Sequence, residues 1–191
     1  MKILEIKKIL FILIFVFSCN TEDEGDFQTQ ENTNTITESI TKEITPDFNN
    51  DSIYSKVNPL ALSSYWKAFV KSAALYEVDL SNIEDVTFIS EDLGGSTAGV
   101  ANGSCEDYVL ISVDETVFRN LTQGEQIFLI YHELGHDVFN ASHEGGGLMA
   151  PNVRSLEYKL FQTEVEDFFT GKDYIEWTDE ECEIIRNLTD N

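Results

Sequence analysis

Positive charge is scarce in this 191-residue chain: 12 Lys and Arg stand against 35 Asp and Glu, for a formal net charge of −23. Such a surface repels phosphate backbones and anionic headgroups, so nucleic acid is not an expected partner. Cysteine is nearly absent, at three residues. None has a neighbour at metal-ligand spacing, which excludes a cysteine-based zinc site. No apolar run reaches the roughly 20 residues that span a bilayer, and Ile9–Phe17 stops at nine. Internal repeats and calcium-loop patterns are missing too. Core material, by contrast, is plentiful. Hydrophobic residues make up 42% of the chain and Phe alone contributes 13, which excludes a globally disordered protein. The length suits one domain with attachments.

The N-terminus has the pattern of a targeting segment. Lys2, Lys7 and Lys8 precede the apolar run, which ends in Val16-Phe17-Ser18-Cys19. That ending resembles the lipobox of bacterial lipoproteins, in which the cysteine is acylated and the chain is cut just before it. The resemblance implies a signal peptide over residues 1–19 and a membrane anchor at Cys19. An ordinary secretory signal with an incidental cysteine is the alternative. Glu22, Asp23, Glu24 and Asp26 follow. Similar acidic runs accompany surface export in some Gram-negative lipoproteins, which implies a cell-envelope location in the outer membrane, facing outward. Residues 20–54, rich in Thr, Asn, Glu and Asp, are expected to form an acidic flexible tether, with a catalytic domain over 55–191. Cys105 and Cys182 then lie in a compartment that permits disulfides. A bridge would close a loop of nearly eighty residues and add ~4 kcal/mol in the chain-entropy model. Two free buried thiols are the other outcome.

Within the domain, Asn58-Pro59 predicts the start of a helix over about 60–76, with Leu62, Trp66, Phe69, Val70 and Ala73 on its apolar stripe. Residues 86–90 and 107–113 read as strands, with glycines 94, 95 and 99 in loops or bends. Thr122-Gln123-Gly124-Glu125 fits a capping box, followed by a helix whose stripe is Ile127, Tyr131, Leu134 and Val138. A further helix is expected from about Leu156 to Phe169. Thr178-Asp179-Glu180-Glu181 is a second capping box, opening a short last helix.

All three histidines fall within twelve residues: His132, His136 and His143. His132-Glu133-Leu134-Gly135-His136 is an H-E-x-x-H motif. On a helix, His132 and His136 project from the same side one turn apart, so two imidazoles reach one metal ion. Glu133 lies about 100° further round, where it meets a metal-bound water as general base rather than as ligand. Both histidines fall off the apolar stripe, on a flank suited to a cleft. Glu144-Gly145-Gly146-Gly147-Leu148-Met149-Ala150-Pro151 follows.

The segment His132 to Pro151 resembles the active site of the metzincin metallopeptidases, especially those similar to matrix metalloproteinases. The match is close over about twenty residues. It implies an α+β fold: a small zincin-like catalytic domain with a twisted sheet, an active-site helix, a Met-turn and a C-terminal helix. It also implies Zn²⁺ as cofactor, with His132, His136 and His143 as ligands, Glu133 as catalytic base and Met149 as the Met-turn residue. Two positions depart from the pattern. The family's third histidine would fall on Ser142, so His143 comes one residue late. The family's turn glycine is Phe139 here, and the left-handed turn is assigned instead to Asn140. A rival third ligand is a carboxylate of the gluzincin type, Glu164 or Glu166, although the E-x-x-x-D pattern is not reproduced around either.

The expected activity is that of a zinc-dependent endopeptidase acting on peptide or protein substrates. Glu133 takes the proton of the attacking water and passes it to the leaving nitrogen. The strand at 107–113, or the segment 97–102, is expected to pair with an extended substrate. Asp137 is either a carboxylate orienting a ligand or a solvated helix residue. Tyr158 is either an oxyanion stabiliser or a plain core or surface tyrosine. The alternative function is a non-catalytic surface lipoprotein that binds a partner through a structural or degenerate zinc site. Glu133 separates the two, since a structural site has no use for a base.

Overall fold

A computed structural model of the chain describes residues 45–102, 108–171 and 180–184. All lie in one compact unit, Glu43–Asn191. The leader, Cys19, Cys105 and the Thr178 cap fall outside the described residues. Among those described, no helix is long and apolar enough to cross a membrane.

The chain runs through a 3-10 turn at Tyr54–Lys56, α1 (Ser63–Leu75), β1 (Val86–Ser90), β2 (Gly99–Ala101), β3 (Val109–Val113), α2 (Glu115–Arg119) and α3 (Gln123–Phe139). Two 3-10 turns follow, His143–Gly145 and Gly147–Met149, and then α4 (Tyr158–Thr170). Residues 180–184 are helical. The class is α+β.

The sheet has the order β1-β3-β2. β1 is parallel to β3, with Phe88 opposite Ile111, and β2 is antiparallel to it, with Val100 opposite Ser112. The apolar content of β3 suits a central strand: Val109, Ile111 and Val113 are all buried. Ser112 is buried among them because its hydroxyl has partners in Glu91 and Asn102. The expectation that residues 107–113 pair with a substrate is therefore corrected. β3 has a neighbour on each side, and among the described residues the sheet's edges are β1 and β2. Gly99 is a residue of β2 rather than a bend. A Cβ on it would sit 3.3 Å from the Leu129 side chain, so glycine lets β2 lie close against α3.

The capping box is present at the start of α3. The Thr122 hydroxyl accepts from Glu125 N–H at 3.4 Å, and the Glu125 carboxylate accepts from Thr122 N–H at 2.7 Å. The expected single stripe is not. Every residue from Gln126 to Gly135 is buried, because α3 packs on β2 and β3 on one side and on α1 on the other. Val138, assigned to the stripe, is only half-buried. A helix buried right round its middle turns has no single stripe for hydropathy to mark.

The face of α1 is also turned from its expected stripe. Tyr65, Ala68, Phe69, Ser72 and Ala73 are buried, whereas Leu62, Trp66 and Val70 are half-buried. Hydroxyl partners explain the turn. Tyr65 donates to Gln126 at 3.0 Å, and Ser72 links the Tyr131 hydroxyl at 2.8 Å to that of Tyr54 at 3.3 Å. With partners supplied, polar-tipped residues enter the core at little cost. The N-terminal boundary shifts as well. Phe48, expected in the tether, stacks edge-on against Tyr158 at 5.4 Å and tilts against Phe161 at 5.5 Å. Helix α2 was not foreseen. Asp114 caps it by accepting from Thr116 and Val117 N–H, but five residues are too few for periodicity to detect.

Candidate metal centre

Helix α3 carries His132 and His136 one turn apart, with ring centroids separated by 4.6 Å. The helix ends at Asn140, which takes φ 49° and ψ 38°, the left-handed conformation assigned to it from the sequence. Asn tolerates that conformation better than other residues with a Cβ. The chain then reverses, and the first 3-10 turn brings His143 back over the helix. Its Nε2 lies 3.2 Å from that of His132 and 3.0 Å from that of His136, which are themselves 3.0 Å apart. The one-residue delay in His143 is absorbed at this turn.

Three imidazole nitrogens this close form a set that could hold a metal ion. Zinc–nitrogen bonds of ~2.0–2.1 Å at tetrahedral angles put ligand nitrogens roughly 3.3 Å apart, so the group fits zinc with little adjustment. Orientation is set from behind. His132 Nδ1 meets the Leu148 carbonyl at 2.9 Å, and His136 Nδ1 meets that of Ala141 at 2.5 Å. Each carbonyl holds the proton on Nδ1 and leaves Nε2 free as a ligand atom. Burial pushes the His132 pKa down to about 4, with the neighbouring histidines adding to the shift and the Leu148 carbonyl opposing it. The ring therefore stays in the neutral, metal-ready form at neutral pH. Burial falls from His132 through His136 to the exposed His143, so the cluster faces solvent on one side.

Glu133 is buried beside the cluster, where its carboxylate accepts the N–H of Ala101 on the edge strand at 2.9 Å. Burial pushes its pKa up to about 7, against the lowering effect of that hydrogen bond. Met149 is buried under the helix. A Cβ on Gly135 would come 2.6 Å from the Met149 sulfur, so the glycine inside the motif makes room for the methionine. A glycine within a helix costs about 1 kcal/mol relative to alanine. A glycine inside the motif is therefore the sequence signal of a close approach at this point.

The rival carboxylates lie elsewhere. Glu164 is bound by Arg154 through both oxygens at 2.7 and 2.8 Å, and Glu166 is exposed. Asp137 is not a solvated helix residue: it is buried and accepts the Leu110 N–H at 3.1 Å, which ties α3 to β3. Tyr158 donates its hydroxyl to Asp51 at 2.6 Å and packs on Phe48 and Tyr54, so it is a structural residue. Cys182 is disulfide-bonded, and its sulfur lies 3.4 Å from the Asn140 side-chain nitrogen.

Comparison with protein-family models, with curated proteins and with solved structures finds no match. Local geometry is therefore what bears on function. The contributions the sequence did not reveal are mostly backbone: the carbonyls of Ala141 and Leu148 and the N–H of Ala101. Backbone groups carry no residue-type signal.

Proposed function

We propose that this chain is a zinc-dependent endopeptidase with a metzincin-like centre, in which His132, His136 and His143 hold the metal and Glu133 is the general base. The observation that carries the proposal is the position of Glu133. It is a carboxylate on the same helix as two of the histidines, absent from the ligand set, and bonded to β2, an edge strand of the sheet. A purely structural metal site has no use for such a group.

Zinc bound here supplies a Lewis acid that polarises a carbonyl and acidifies a water. The chain's own residues do the rest. The carbonyls of Leu148 and Ala141 keep two imidazoles aimed at the metal. Glu133 removes a proton from the attacking water and returns it to the leaving amide nitrogen. Strand β2 offers its open side to an extended peptide, adding it to the sheet as a further strand. The Ala101 N–H of that strand is held by the Glu133 carboxylate, so a peptide pairing along β2 would run up to the base. His143 is exposed, so a metal held by the three histidines would be reachable from solvent, as a catalytic rather than a closed structural site requires.

The resemblance of Val16-Phe17-Ser18-Cys19 to a lipobox supports placement of the enzyme on the bacterial envelope through a lipid at Cys19, with proteins or peptides outside as substrates. The deciding experiment is Glu133→Gln, assayed against a peptide library alongside zinc content. The proposal expects full zinc occupancy with cleavage abolished. A wild-type protein that holds zinc yet cuts no peptide would move the assignment to a partner-binding surface protein.

A further inference from the structure

The stretch Gly145-Gly146-Gly147 is the pliable part of the loop that completes the histidine cluster. Gly146 and Gly147 take φ of 59° and 51°, and a Cβ on Gly146 would meet nothing within 4 Å. Within the loop, Gly146 N–H donates to the His143 carbonyl at 3.2 Å, Met149 N–H to that of Gly146 at 2.7 Å and Ala150 N–H to that of Gly147 at 3.1 Å. The stretch joins His143 on one side to Leu148 on the other, whose carbonyl orients His132. Arg154 adds a restraint from outside the loop.

We propose that Arg154 is a positioning residue for the metal centre, clamping the Gly147 carbonyl and so fixing both His143 and the carbonyl that aims His132. This rests on reading the three histidines as a metal centre. The Arg154 Nη2 donates to the Gly147 carbonyl at 2.6 Å and to the two Glu164 oxygens at 2.8 and 2.7 Å. Glu164 is a buried residue of α4, between core residues Phe161 and Phe168, so the clamp is anchored to a packed helix. A second path runs through rings. The Arg154 guanidinium carbon lies 5.4 Å from the Phe128 ring centroid, and Phe128 stacks on His132 at 6.1 Å. The pair is buried on its Glu164 side and half-exposed on its Arg154 side, and among the described residues the buried Arg154 Nε–H has no acceptor.

The test measures zinc affinity of the full chain by competition with a chromophoric chelator, and the melting temperature of the metal-free protein. Arg154→Met keeps an apolar stem against Phe128 and removes the donors. It is expected to weaken zinc binding about 10-fold or more, within the 10–100-fold range usual for groups behind metal ligands. The apo melting temperature should move by no more than ~5 °C. Arg154→Lys retains one donor and should recover part of the affinity, and Glu164→Gln should lose less than Arg154→Met. Tyr65→Phe removes a buried hydrogen bond remote from the loop and serves as the stability control. Zinc affinity of Arg154→Met within twofold of wild type overturns the clamp, as does an equal loss in a Tyr65→Phe protein of matched melting temperature. Should Arg154→Met fail to fold, Arg154→Lys and Glu164→Gln carry the same test. A wild-type chain that binds no zinc overturns the metal centre itself, an outcome distinct from tight wild-type binding that Arg154→Met leaves intact.

Discussion

The two halves of the histidine cluster are built by different means. His132 and His136 stand on α3, a helix enclosed by sheet and helices, and His132 is buried with its Nδ1 held by a carbonyl. His143 is exposed and arrives on a 3-10 turn of three residues, after a left-handed asparagine and before two left-handed glycines. Packing determines the first half. Backbone conformation at a few positions determines the second. A core helix delivers side chains accurately because many contacts oppose any displacement, whereas a loop depends on each unusual dihedral in turn.

Four experiments break or sharpen that contrast. The largest effect is expected from Glu133→Gln on the helical half. Peptide cleavage should fall by about 10²–10⁴-fold, the usual contribution of a general base, with zinc content unchanged; turnover and metal analysis on one preparation check it. Next come the ligands. Structural zinc sites bind with ~10–16 kcal/mol over four ligands, so losing one should weaken zinc by roughly two orders of magnitude. His132→Ala and His143→Ala should lose similar affinity but differ in the metal-free protein. His132→Ala removes a buried, hydrogen-bonded ring and should destabilise by about 1–3 kcal/mol, whereas His143→Ala should leave the denaturation midpoint almost unmoved. Equal midpoints in the two variants would erase the distinction between the halves.

Gly135→Ala strikes the packing beneath the helical half. Its methyl group meets the Met149 sulfur at 2.6 Å, and overpacking of this kind costs about 1–3 kcal/mol, read by urea denaturation. In a Met149→Ala background the cost of Gly135→Ala should shrink, and an undiminished cost in that double-mutant cycle would refute the contact. The smallest effect belongs to Asn140. Asn140→Ala should weaken zinc several-fold, since a left-handed residue with a Cβ costs about 1–2 kcal/mol. Asn140→Gly should bind as well as wild type. If alanine and glycine behaved alike, the turn would not control the delivery of His143.

The helical half was legible in the sequence to the residue. The motif, the capping box at Thr122 and the one-turn spacing of His132 and His136 are all local properties. Asn140 was legible too, because few residue types with a Cβ accept a left-handed backbone. Other parts were not. The stripe on α1 was drawn from hydropathy and left out Tyr65 and Ser72, whose burial depends on Gln126 and Tyr131, about sixty residues away. Strand β2 was expected only as a segment able to pair, since three residues are below the reach of any periodicity. That Asp137 is buried and bonds a strand N–H was not legible either, because its partner Leu110 lies far off in the sequence.

By itself the sequence determined the residue types that can bind a metal, their spacing on one helix, the turn that follows and the α+β class. These follow from periods and dihedral preferences that act over a few residues. Only the tertiary structure decided that three Nε2 atoms converge to 3.0–3.2 Å, that Glu133 meets the edge strand, and that Arg154 holds Glu164 away from the cluster. Those outcomes depend on which buried polar groups find partners across long stretches of chain, and partnership of that kind exists only once the chain has packed.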